Sequence, residues 1–278
     1  VGFWFTHKPG LALGVTASGG AVGQGIVPYL CAMSLEQYGW QTTYVISAVV
    51  YFCIAFPIAF LIKESPLREV ARNSPEVEVR NFPLSEREVI IWISMAIIFC
   101  CNCMAVPIVH LVPLLTDNGR TLDEATTVLT LLMFSGAFGR IVGGKLGDTI
   151  GALPGYILMS AGQTVSVLWF PYFHSDLNLY LLAIVFGFTY SGVMSSILVC
   201  TRTMVSARYS GRAMSITSFF GWIGMGTGGV VGGLLFDATG NYEWSFSYAA
   251  GVGVINLIIL GLFFMRIKTQ ESLNPAAA

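Results

Sequence analysis

One arginine stands where charge is costly. Residues 134–148 read FSGAFGRIVGGKLGD, and Arg140 lies inside an otherwise apolar, helix-length run. A guanidinium stays charged at any working pH, and its planar fork meets a carboxylate through two parallel hydrogen bonds. Inside a membrane such a charge faces a water-filled path or a partner. Arg140 is therefore a candidate anchor for an anionic substrate. Two other roles compete: a stem that reaches along the helix to the interface, or structural pairing with a neighbouring helix. Asn102 and His110 lie on nearly one face of another apolar run. Histidine titrates near neutral pH, so His110 is a candidate proton carrier and Asn102 a candidate substrate contact. The alternative is a residue simply hydrogen-bonded near the outer end of a helix. The stretch FGFTYSGVMSSILVCT (186–201) is polar for its class. Its Tyr190, Ser191 and Ser195 are candidate cavity-lining residues, unless their hydroxyls turn back onto the backbone.

Other chemistry is not legible. The chain holds no G-x-S-x-G, no H-E-x-x-H and no P-loop, and His7, His110 and His174 stand far apart. The CCNC cluster (100–103) points its thiols in different directions on a helix. No His or Cys pair elsewhere completes four ligands. Small fillers of a helix interface are the better reading of these thiols. All six cysteines lie in apolar runs, which argues against a secreted disulfide framework. No metal, no cofactor and no enzymatic activity are expected.

Membrane helices must position these residues. The 278 residues are 55% hydrophobic and only 10% charged, and their mean hydropathy is +0.72. A soluble domain carries ~25% charged residues. The net charge of −1 comes with no basic arm or stripe, so no nucleic-acid partner is implied. A spanning helix needs ~20 apolar residues. Eight runs qualify: 10–33, 41–62, 89–115, 123–147, 152–173, 178–203, 212–236 and 244–266. Their connections are short except for 63–88, a charged stretch broken by Pro66, Pro75 and Pro83. It reads as a linker dividing two helices (1–62) from six (89–268), with a tail at 269–278. One set of alternate loops holds Lys8, Lys63, Arg68, Arg72, Arg80, Arg87, Lys145, Arg202, Arg208, Arg212, Arg266 and Lys268; the other holds Arg120 alone. By the positive-inside rule, the linker and the C-terminus face the cytoplasm. The opening VGFWF reads as the tail of an earlier element, so residues upstream are expected.

On a helical wheel, Gly136, Gly139, Gly143, Gly144 and Gly147 share a small face with Arg140, Met133 and Ala137. Leu131, Phe134, Phe138 and Val142 form the opposite, bulky face. Small faces pack against protein, so Arg140 points inward. Further glycines stud 10–33 and 212–236, a pattern suited to helices that approach and slide.

Several stretches resemble the major facilitator superfamily. GGKLGDTIG (143–151) is similar to its loop motif G-x-L-x-D-x-x-G, although Thr149 and Ile150 replace the basic residues that follow the aspartate. WFTHKPGLALGVTASGGAVG (4–23), GWQTTYVI (39–46), VHLVPLLTDNG (109–119) and GGVVGGLLFDATGNY (228–242) resemble the monocarboxylate-transporter-like branch. The resemblance implies an all-α helical bundle in which helices five to twelve of twelve are present. It implies that Arg140, on the eighth helix, meets a substrate carboxylate. The branch's aspartate one turn earlier is Gly136 here, so that pair does not supply proton coupling. The eleventh-helix lysine of oxalate–formate exchangers is also missing from SITSFFGWIG (215–224), which favours one carboxylate over two. The resemblance further implies that Asp148 latches the cytoplasmic gate against the start of the eleventh helix, where Arg212 sits.

The expectation is thus an all-α integral membrane protein of eight helices, a monomeric secondary transporter in the cytoplasmic membrane of a bacterium. It moves a small monocarboxylate by alternating access, coupled to protons. Arg140, Tyr190, Ser191 and Asn102 bind substrate, Asp148 and Arg212 gate, and His110 carries the proton. Two alternatives stay open: efflux of an uncharged or cationic compound, and a non-transporting membrane receptor or enzyme.

Overall fold

A computed structural model describes residues 1, 4, 5, 7–63, 65 and 82–273. Helices alone form its regular structure, with no strand among the described residues. The elements are α1 (Pro9–Ala59), α2 (Glu86–Asp117), α3 (Leu122–Thr149), α4 (Ala152–Val167), a 3-10 turn (Phe170–Tyr172), α5 (Asp176–Met204), α6 (Ala207–Thr239) and α7 (Glu243–Leu273).

The two expected N-terminal segments form one element, broken at Gly39. There φ is +73° and ψ is 169°, a conformation that glycine adopts without Cβ strain. The two limbs are tied by Thr43 Oγ1 donating to Ser34 Oγ at 3.1 Å, and Cys31 Sγ lies 3.5 Å from Ser47 Oγ. Counting the limbs Pro9–Val27 and Gln37–Ala59 separately, seven described helices are long and apolar enough to cross a membrane. The remaining expected segment, fifth in chain order, differs from expectation. The run 152–173 is not one helix: α4 stops at Val167 and the 3-10 turn containing Pro171 follows. Proline lacks the N–H that would continue an α-helical ladder.

Most of the linker lies outside the described residues, Arg68, Arg72 and Arg80 included. Its end is ordered: Ser85 caps α2 by accepting from the Glu88 amide at 3.2 Å, an ordinary way to satisfy a first-turn donor. Thr121 and Glu124 form a reciprocal capping box at the start of α3. α6 begins at Ala207 rather than near 212, with the Ser206 amide held by the Glu86 carboxylate at 3.0 Å. α7 runs on to Leu273, past the expected 266.

α3 packs on α5 and α1, α2 packs on α6 and α7, and α4 bridges α5 and α7. The α3–α5 seam uses glycines as backbone contacts. A Cβ at Gly139 would collide with the Phe188 carbonyl, and one at Gly143 would stand 2.7 Å from Gly192 Cα. The bulky face is turned outward: Phe138 is 68% exposed, whereas Gly136, Ala137, Gly139 and Arg140 are buried. The second limb of α1 is apolar and exposed along its length, Tyr51 by 75%, as a lipid-facing helix would be.

The cysteine cluster packs as read from the sequence. Cys101 faces Gly221 and Gly224 of α6, Cys103 faces Gly253 of α7, and Cys100 receives the Gln163 amide of α4.

Candidate functional site

Arg140 lies in the seam between α3 and the first limb of α1. The two helices run antiparallel, and their backbones touch where Gly10 and Gly14 meet Gly144 and Arg140. From that level the side chain leans toward the N-terminus of α3, as helical side chains do. Its Nη1 donates to the Ala17 carbonyl at 2.6 Å, and its Nη2 donates to Gln24 Oε1 at 3.4 Å. Gly20 makes the room, since a Cβ there would stand 2.8 Å from Nη1. Gly10, Gly14, Ala17, Ala21 and Gln24 follow helical spacing, so one face of α1 meets α3.

These contacts pair Arg140 with a neighbouring helix, α1, and they bear on the interface-reaching alternative. The guanidinium sits eight to eleven residues along α1 from its start, ~12–16 Å by helical rise, and it points away from the nearer end. It does not reach back to that interface. It is only 9% exposed. Among the described residues no carboxylate lies at ion-pair distance from it. Its Nε has no hydrogen-bond partner. A desolvated charge held by uncharged partners, with no carboxylate among the described residues, is costly in stability terms alone.

Tyr190 belongs to this site. Its ring stacks on Phe186 with centroids 5.5 Å apart, its hydroxyl lies 3.2 Å from Met133 Sδ, and it interacts electrostatically with the guanidinium. Ser191 is close by, packed against Gly136 with its Oγ buried and unpartnered. Ser195 instead turns back onto its own helix, its Oγ 3.1 Å from the Gly192 carbonyl, while also donating to the Arg140 carbonyl at 2.7 Å across the α3–α5 seam. The intrahelical alternative therefore describes Ser195 better than it describes Ser191.

Asn102 and His110 lie in a different seam, between α2 and α6. Asn102 Nδ2 donates to Thr227 Oγ1 at 2.9 Å, and its Oδ1 is buried without a partner. His110 Nε2 donates to the Gly229 carbonyl at 2.9 Å, while the ring packs on Tyr242 and fills the space that Gly232 leaves. The Tyr242 phenol pKa is pushed up by burial and then by the Asp117 and Asp237 carboxylates.

Asp148 does not meet Arg212. Its two oxygens accept from the Gly10 and Leu11 amides, each at 2.8 Å. It thus caps α1, the fifth helix of the resemblance, rather than the eleventh. Acid at a helix N-terminus satisfies otherwise orphaned N–H groups and complements the dipole. Arg212 is exposed in the second turn of α6, because that helix starts earlier than expected. At the opposite end Arg120, the one loop cation expected there, pairs with Asp176 and donates to the His174 carbonyl at 2.6 Å.

Two partners of Arg140 were not legible beforehand. The Ala17 carbonyl is backbone and leaves no trace in side-chain identity. Gln24 did leave a signal, as an amide within an otherwise small and apolar span.

The model of the family described as Major Facilitator Superfamily matches residues 1–118 and 91–278. The chain is 25% identical over 291 residues to the uncharacterized MFS-type transporter YcxA of Bacillus subtilis, covering 97% of this chain and 68% of that protein. It is 26% identical over 279 residues to monocarboxylate transporter 13 of Rattus norvegicus, covering 97% of this chain and 64% of that protein. It is 26% identical over 247 residues to the fosmidomycin resistance protein of Escherichia coli, covering 84% and 57%. The chain spans about two thirds of the length of the first two of these curated relatives and less of the third. With its helical seams, its loop aspartate and a family match along nearly its whole length, this chain belongs to the Major Facilitator Superfamily.

Proposed function

We propose that the complete protein is a secondary active transporter of a small monocarboxylate, working by alternating access and coupled to protons. The observation that carries this reading is Arg140: a buried guanidinium in the seam between α1 and α3, lacking a carboxylate among the described residues and with Nε unpaired. A substrate carboxylate supplies the missing countercharge. Tyr190 and Ser191 flank it. Asp148 acts as a latch, holding the ends of α1 and α3 together on the side of the basic loops, which is the cytoplasmic side of a bacterial plasma membrane. His110 is the titratable group suited to carry the proton: with Nε2 committed to the Gly229 carbonyl, protonation falls on Nδ1. The monomer is the functional unit.

Uptake of labelled acetate, lactate and pyruvate tests this, in cells without their own carboxylate uptake and at acid and neutral external pH. Wild-type uptake rises in acid, and Arg140→Gln lowers it about a hundredfold at equal surface expression, as loss of a charge-assisted pair predicts. Normal uptake by Arg140→Gln overturns the anchor. A second reading, export of an uncharged or cationic compound, draws on the resistance protein among the relatives. Arg140 would then serve as the tie from α3 to the Ala17 carbonyl, and drug tolerance rather than acid uptake would follow expression.

A further inference from the structure

A guanidinium offers a carboxylate two bidentate edges, Nη1–Nη2 and Nε–Nη2. In Arg140 they are not equivalent. Nη1 is committed to the Ala17 carbonyl at 2.6 Å, so the first edge is half filled. On the second, Nε has no hydrogen-bond partner and Nη2 donates to Gln24 Oε1 at a long 3.4 Å. The second edge is the one without a committed partner, buried beneath Gln24, and an amide oxygen rests on it where a carboxylate oxygen would lie. Gln24 itself is exposed, so its amide is free to turn.

We propose that Gln24 is a substrate-binding residue, contributed by α1 to a site whose anchor is on α3. The bound acid takes the Nε–Nη2 edge and displaces Gln24 Oε1, and the amide turns so that its Nε2–H donates to the carboxylate. One acid then touches both helices of the seam. The tie from Nη1 to Ala17 is left in place, so binding does not by itself part α1 from α3. That edge fits a single carboxylate in its ionised form. This inference rests on the anchor role of Arg140.

Transport of labelled acetate, lactate and pyruvate by the full-length protein in proteoliposomes, at a range of pH values, tests it. Gln24→Leu removes the donor and keeps the bulk: KM for the transported acid rises about tenfold, the loss of one hydrogen bond to a charge, and kcat changes little. Gln24→Glu places an internal carboxylate on the same edge. It abolishes transport at neutral pH, and activity returns as the pH falls and the introduced carboxyl protonates. A merely structural residue would not acquire that pH profile. Wild-type KM in Gln24→Leu together with a wild-type pH profile in Gln24→Glu overturns the assignment while leaving Arg140 as anchor. If Arg140→Gln transports normally, or the wild type moves none of the three acids, the carboxylate reading falls and this assignment falls with it.

Discussion

Arg140 shows why the chemistry of a residue depends on which of its atoms are spent. The charge is conventional; the division of its donors is informative. One nitrogen serves the fold through Ala17, one is buried without a partner and one is loosely held. Lysine cannot reproduce this, because an ammonium is a point charge without a planar edge. Arg140→Lys is therefore expected to keep selectivity for anions but to raise KM by ~10–100-fold, since one of two charge-assisted bonds is lost. Concentration-dependent uptake of whichever acid the wild type carries measures this. A KM within twofold of wild type would mean that charge alone, without the fork, does the binding.

At the scale of the element, α1 and α3 form a seam with backbone contact at one end and side-chain contact at the other. Near Asp148 the glycines bring main chains together; at Gly25 the neighbours are the side chains of Met133 and Phe134. The Asp148 carboxylate closes the tight end with two hydrogen bonds to helix N-terminal amides. Losing such a cap costs about 1–2 kcal/mol. Asp148→Ala should therefore shift the closed–open balance of this seam roughly tenfold toward open. Spin labels at Lys8 and Lys145, both exposed at this end, report it as a broader and longer distance distribution. An unchanged distribution would make the aspartate a local cap with no hold on the seam.

For the whole molecule, the loops separate into two ends. Arg266 pairs with Glu88 at 3.1 Å, and Glu86 holds the start of α6, at the same end as Asp148. Arg120, Asp176 and the Asp117–Asp237 rim lie at the other. By the positive-inside rule the first end is expected to face the cytoplasm. In a protein whose native cysteines are replaced by serine, Asp117→Cys should react with an impermeant maleimide on intact cells. Arg208→Cys should react only after permeabilisation. The reverse pattern would invert the orientation and place the Asp148 latch outside.

The sequence by itself determined what depends on composition and period. Apolar runs of membrane length, the charged linker, the loop asymmetry and the glycine face of α3 all follow from side-chain type at fixed spacing, because a helix repeats every ~3.6 residues wherever it lies. It also singled out Arg140 as an inward charge. The tertiary structure alone decided what Arg140 and Asp148 touch. Both find their partners more than a hundred residues away, chiefly on the backbone of α1, and backbone carbonyls and amides look alike at every position of a sequence. The misplacement of Arg212 has a related cause. Its expected place followed from a helix start read off apolarity, whereas α6 starts where Glu86, from another helix, catches the Ser206 amide. Periodicity is local and survives in the sequence; partner choice across helices is set by packing, and only the folded chain displays it.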